Sequence, residues 1–252
     1  LEFRIIKKFM NIKKTFIISL IVICLILAFG FILINKKKNI SVVNNVVSEE
    51  VKKNQEQAKQ LIANNNQVKP IRLINETDHL WGEKAAPVQM VIYSDFKDPF
   101  CADFYDTLKQ IKTEFGDKVV VAYRHFLLDS HQNALIASEA SECASEQGKF
   151  WEMYNKLFAN NKTGLIGIDQ FNINVKELGL DQIKFAKCLE TEQYKTKILE
   201  QMLEGKEAGV VGVPVIFINN KIYPGAYPFE DFIARDGKPE KGMKNIIGEI
   251  LK

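Results

Sequence analysis

The chain holds four cysteines, and one of them, Cys101, sits where a thiol could do chemistry. It closes the run Asp95-Phe96-Lys97-Asp98-Pro99-Phe100-Cys101, which breaks an apolar stretch and opens one with helical spacing. A helix N-terminus favours the thiolate, the form that attacks disulfides. Asp98 stands one turn earlier. Aspartate caps a helix start well, but its charge pushes the thiol the other way. The two effects oppose, and the sequence leaves their balance open. A single thiol cannot store two electrons as an internal disulfide, so exchange through Cys101 would need a mixed disulfide with another molecule.

The surrounding pattern shows what must position this turn. Residues 88–93 (VQMVIY) are nearly continuously apolar, which predicts a strand buried on both faces. Phe100, Phe104, Leu108, Ile111 and Phe115 recur at helical spacing, with Gly116 as a stop. Residues 118–126 (KVVVAYRHF) predict a second strand, and strand, helix, strand implies a βαβ unit with parallel strands. Residues 131–207 read as helical throughout, with an alanine-rich part at 134–146 and a long stretch at 182–205. Phe150, Trp151, Tyr154, Leu157 and Phe158 form one apolar face there, read as core. Residues 213–218 (VPVIFI) and 221–223 flank Asn219-Asn220, which predicts an antiparallel hairpin, and a helix at 244–251 closes the chain.

Composition excludes some classes. Hydrophobic residues at 46% and charged residues at 26% are those of a globular protein. Residues 1–38 carry a formal charge of +7 and the remainder −4, so the basic character belongs to the N-terminal segment. No later basic stripe with interleaved aromatics is present, which sets nucleic acid aside. Residues 16–34 contain no charge, and nineteen residues at about 1.5 Å each span roughly 28 Å, close to a bilayer core. The reading is a basic tail at 1–15, an uncleaved transmembrane helix at 16–35, a polar spacer at 36–77 and one domain at 78–252 on the extracytoplasmic side. A cleaved signal ending near Ala28-Phe29-Gly30 is the rival. Met10 looks like the natural start, ahead of Asn-Ile-Lys-Lys and the apolar run. Cys24 lies in that run as an apolar filler.

The stretch Tyr93-Ser94-Asp95-Phe96-Lys97-Asp98-Pro99-Phe100-Cys101 resembles the active-site turn of the DsbA-like thiol–disulfide oxidoreductases, where a Cys-Pro-x-Cys motif follows a strand ending in Asp-Phe. Ala86-Pro87-Val88, His131-Gln132-Asn133-Ala134, Gly148-Lys149-Phe150-Trp151 and Gly212-Val213-Pro214 follow the family's order. The resemblance implies an α/β thioredoxin fold, with a helical insertion at about 131–207, acting on thiols or disulfides of extended protein or peptide substrates, with a membrane or small-thiol redox partner. It makes Asp98, Pro99, Phe100 and Cys101 the catalytic turn. It also implies a cis bond before Pro214, with Val213 and Pro214 as the substrate edge, and a bridge between Cys143 and Cys188. Asp98 stands where the family carries its first, exposed cysteine, so the ordinary dithiol cycle is lost. Three readings of Cys101 stay open: a leftover thiol in a redox-inactive binding module, a one-cysteine exchange protein, or a partner of a distant cysteine.

The remaining candidates are weaker. In a secreted context, Cys143 and Cys188 fit a structural bridge better than a metal site. His79, His125 and His131 have no ligand spacing and are read as structural, and no metal, flavin or nucleotide is implied. Asp95 is read as a loop-entry aspartate. Asn75-Glu76-Thr77 and Asn161-Lys162-Thr163 match the glycosylation sequon, a pattern too short to carry weight.

Overall fold

The computed structural model describes residues 69–252. The expected membrane helix, Met10, Cys24 and residues 36–68 of the expected spacer lie outside the described residues. Among the described residues, no helix is long and apolar enough to cross a membrane.

In chain order the elements are β1 (His79–Trp81), β2 (Val88–Ser94), α1 (Pro99–Phe115), β3 (Val119–His125), α2 (Ala134–Ser145), α3 (Phe150–Lys162), α4 (Ile168–Glu177), α5 (Gln182–Glu190) and α6 (Lys195–Glu207). Then come β4 (Val215–Ile218), β5 (Lys221–Pro224), β6 (Phe232–Ile233), β7 (Pro239–Glu240) and α7 (Met243–Ile250). Five strands form one sheet in the order β1-β3-β2-β4-β5. β2 and β3 run parallel from Val88 opposite Val119 to Ser94 opposite His125, as a strand, helix, strand unit requires. β4 is antiparallel to β2, and β5 to β4. The β4–β5 turn is made by Asn219 (φ 46°) and Asn220 (φ 69°), left-handed at both positions as a two-residue hairpin needs.

The central strands are apolar because both faces are covered. Val88, Met90 and Ile92 of β2 join Val119, Val121 and Tyr123 of β3 in one cluster with Phe104, Leu108 and Ile111 of α1, Tyr154, Leu157 and Phe158 of α3, and Ile247 of α7. Val91, Tyr93, Val120, Ala122, Val215 and Phe217 face the other way, onto Ile71, Ile74, Ala208 and Val210. α6 crosses this second face at close range. A Cβ built on Gly205 would fall 2.9 Å from the rings of Tyr93 and Phe126, so only glycine fits there.

Two expectations need correction, and one strand had no sequence signal. The spacer does not extend to residue 77, because Ile71 and Ile74 are buried in the second cluster and the Lys69 amide donates to the Glu207 carbonyl. Arg72 bridges Asp78 and Glu204, so this polar segment is held by ion pairs that its composition hides. The stretch 182–205 is two helices rather than one. Thr191 Oγ1 donates to the Lys187 and Cys188 carbonyls at the end of α5, and Glu192 turns left-handed at φ 46°. Short β1 was missed, since three residues show no alternation, and its place comes from antiparallel pairing with β3.

Candidate active-site turn

α1 starts as its sequence dictates. Asp98 has an extended backbone, Pro99 occupies the first turn, and the Asp98 carboxylate accepts the Cys101 amide hydrogen at 2.8 Å. Pro99 and Phe100 are exposed at the tip, while Asp98 (5% exposed) and Cys101 (2%) are buried. The balance left open by the sequence is thereby decided. Burial first, and the Asp98 carboxylate second, push the Cys101 thiol well above its ordinary value. Burial also raises the Asp98 carboxyl, although the bond from the Cys101 amide pulls it down. Cys101, the candidate thiol of the turn, is thus a sulfur shielded from solvent.

Asp95, read from the sequence as a loop-entry residue, organises the turn. Its carboxylate is fully buried and accepts the Lys97 amide at 2.7 Å, the Leu128 amide at 3.1 Å and His131 Nδ1 at 2.9 Å. Its own amide points a hydrogen at Cys101 Sγ, 3.5 Å away. Asn161, which carried only a sequon match, donates from Nδ2 to the carbonyls of Phe96 (2.7 Å) and Asp98 (3.4 Å). This contact ties the end of α3 to the turn. Nothing local in the sequence marks it, because the insertion brings it back from more than sixty residues away.

The Val213–Pro214 peptide is cis. Tyr93 pairs with Val215, so Pro214 lies one step further along, beside the strand end that leads into the turn. Pro214 is buried, and Val213 is half-buried against both clusters. Cys143 and Cys188 are joined, with Cα atoms 5.8 Å apart, and link α2 to α5. Cys101 is the free cysteine among the described residues, which leaves it without either of them as a resolving partner.

The histidines are not scattered in space. His79 and His125 both place Nε2 about the Glu142 carboxylate, at 2.9 and 3.0 Å, and Lys197 Nζ reaches the same group at 2.8 Å. Burial pushes Glu142 up, but the hydrogen bonds from His125 and His79 outweigh it and hold the carboxyl well below its usual range. An ammonium in the cluster makes it a buried charge network. Among the described residues, no group of three or more His, Cys, Asp or Glu could hold a metal ion.

A family model for thioredoxin matches residues 74–234. The Na(+)/H(+) antiporter NhaA 1 of Salinispora arenicola is 31% identical over 160 residues, covering 62% of this chain but 24% of that protein. The match therefore spans about a quarter of the antiporter's length. BdbD from Bacillus subtilis, in its oxidised form, superposes with a TM-score of 0.58 at 19% identity, covering 74% of this chain and 99% of that one. The thiol-disulfide exchange protein α-DsbA2 from Wolbachia pipientis gives 0.55 at 16% identity, covering 69% and 90%. At these identities the two structures share the fold.

Proposed function

The chain belongs to the thioredoxin family and has the fold of its DsbA-like thiol–disulfide oxidoreductases, and from that premise we propose that it is a membrane-tethered, extracytoplasmic module that holds extended polypeptides along the Val213–Pro214 edge, with exchange through its single thiol held in check. The observation that carries this reading is the pair at the turn. Position 98 holds a carboxylate, and the remaining sulfur, at position 101, is 2% exposed with its thiolate disfavoured. The thiolate is the attacking species, so a buried thiol beside a carboxylate is a poor initiator of exchange.

A second reading, one-thiol exchange through a mixed disulfide, is favoured by Cys101 remaining unpaired while Cys143 and Cys188 join. The two separate in one binding experiment with a labelled unfolded polypeptide and the full-length chain. Binding that persists in excess reductant supports the non-covalent module. Binding that disappears with reductant means a mixed disulfide and sinks that reading. The placement of the turn is tested by Asp98→Cys, which should form an internal disulfide between position 98 and Cys101 and cycle it with a dithiol. A variant in which both thiols stay free after oxidation would show that the turn is not the site.

A further inference from the structure

The buried Asp95 carboxylate joins three parts of the site. Lys97 reaches it from the turn after β2, Leu128 and His131 reach it from the loop after β3, and the Asp95 amide faces the Cys101 sulfur. Two of its three donors are backbone amides of fixed charge. The third, His131, titrates. Its Nδ1 is committed to Asp95, which leaves Nε2 to exchange protons with solvent, and the side chain is 21% exposed. The charged groups that face the ring are Asp95 at the end of β2, Asp98 at the cap of α1, and Lys97 between them.

We infer that His131 is a positioning residue for the turn, whose protonated ring clamps Asp95 and holds the Cys101 sulfur under the loop, and whose neutral ring slackens that clamp and admits reagents to the sulfur. The physical basis is that a hydrogen bond from imidazolium to carboxylate is about twice as strong as one from neutral imidazole. The Asp95 hydrogen bond raises His131 above its ordinary value, so the clamp persists beyond the usual histidine range. This deepens the reading of the turn as a quiet site, by naming what keeps it closed. The test reads the turn alone, so its failure leaves the polypeptide-binding proposal standing.

The experiment follows alkylation of Cys101 by iodoacetamide on the full-length chain, with the modified peptide identified by mass spectrometry, across the range in which histidine titrates. A thiol far below its own pKa gives a rate that rises tenfold per pH unit. The wild-type chain should show an added step, several-fold high, with a midpoint equal to that of the His131 ring followed by NMR. Two midpoints that differ overturn the inference, and this comparison needs no variant. His131→Asn keeps a neutral donor for Asp95 without a titration, so it should stay folded and lose the step. A folded His131→Asn chain whose profile superimposes on the wild type also overturns it, because a merely structural histidine would behave that way.

Discussion

Aspartate at position 98 keeps the helix cap that the turn needs while placing a negative charge one turn from the remaining thiol. The same side chain therefore preserves the local structure and opposes the chemistry of the thiolate. The buried histidine at position 125 is the other residue where charge and burial conflict. Burial pushes it below its ordinary value, against the pull of Glu142. The folded chain then binds that proton less readily than the unfolded one. Its contribution to stability is complete above the unfolded value of about 6.5 and is lost as pH falls through that value toward the folded one. His131 has the opposite sign, since its value is raised, and its contribution is present below about 6.5 and lost as pH rises through the folded value. Glu142 stays ionised throughout this window. In His131→Asn, where the His131 effect is gone, the urea midpoint should fall as pH drops below about 6.5. A midpoint that holds or rises there would mean that His125 is not kept neutral by burial.

At the scale of elements, the insertion is a brace. α3 sends Asn161 to the turn, α2 begins just after His131, and the Cys143–Cys188 bridge pins α2 to α5 across 45 residues. A loop of that length contributes about 4 kcal/mol through the restricted unfolded chain. Cys143→Ala with Cys188→Ala should cost about that much in equilibrium urea unfolding, while α1 and its cap stay in place. A loss near zero would show that packing between α2 and α5 already holds the insertion closed. The buried ion pairs at the other face play a similar part. Arg124 donates to Asp78 and Glu204 and, with Arg72, fastens the incoming chain to β3 and α6.

At the scale of the molecule, charge and apolarity are divided along the chain. The +7 of residues 1–38 brackets an uncharged run of nineteen residues, while the rest of the chain carries −4. This division motivates the tether. The chain should stay with the membrane fraction after alkaline carbonate and should be cut by protease added from the outer side. Release of the intact chain by carbonate would argue against an integral anchor. The first described residues lie on the α6 side of the sheet, where the Lys69 amide donates to the Glu207 carbonyl and the Arg72 amide to the Glu204 carboxylate.

How much was legible in the sequence follows from how far each signal reaches. The βαβ unit, the Asn219-Asn220 hairpin and the cap at Asp98 were all readable, because strand periodicity, turn chemistry and helix capping act between residues close along the chain. The motif order, from Ala86-Pro87 to Val213-Pro214, carried the family. Tertiary structure alone decided the rest. It set the direction of the Cys101 shift, because burial is its largest cause and burial is a property of the packed core. It gathered His79, His125 and Lys197 around Glu142, buried Ile71 and Ile74 of the expected spacer, and turned Asp95 and Asn161 into the supports of the turn. Each of these contacts joins residues far apart in sequence, where composition and spacing carry no signal and only the closing of the fold brings the partners within bonding distance.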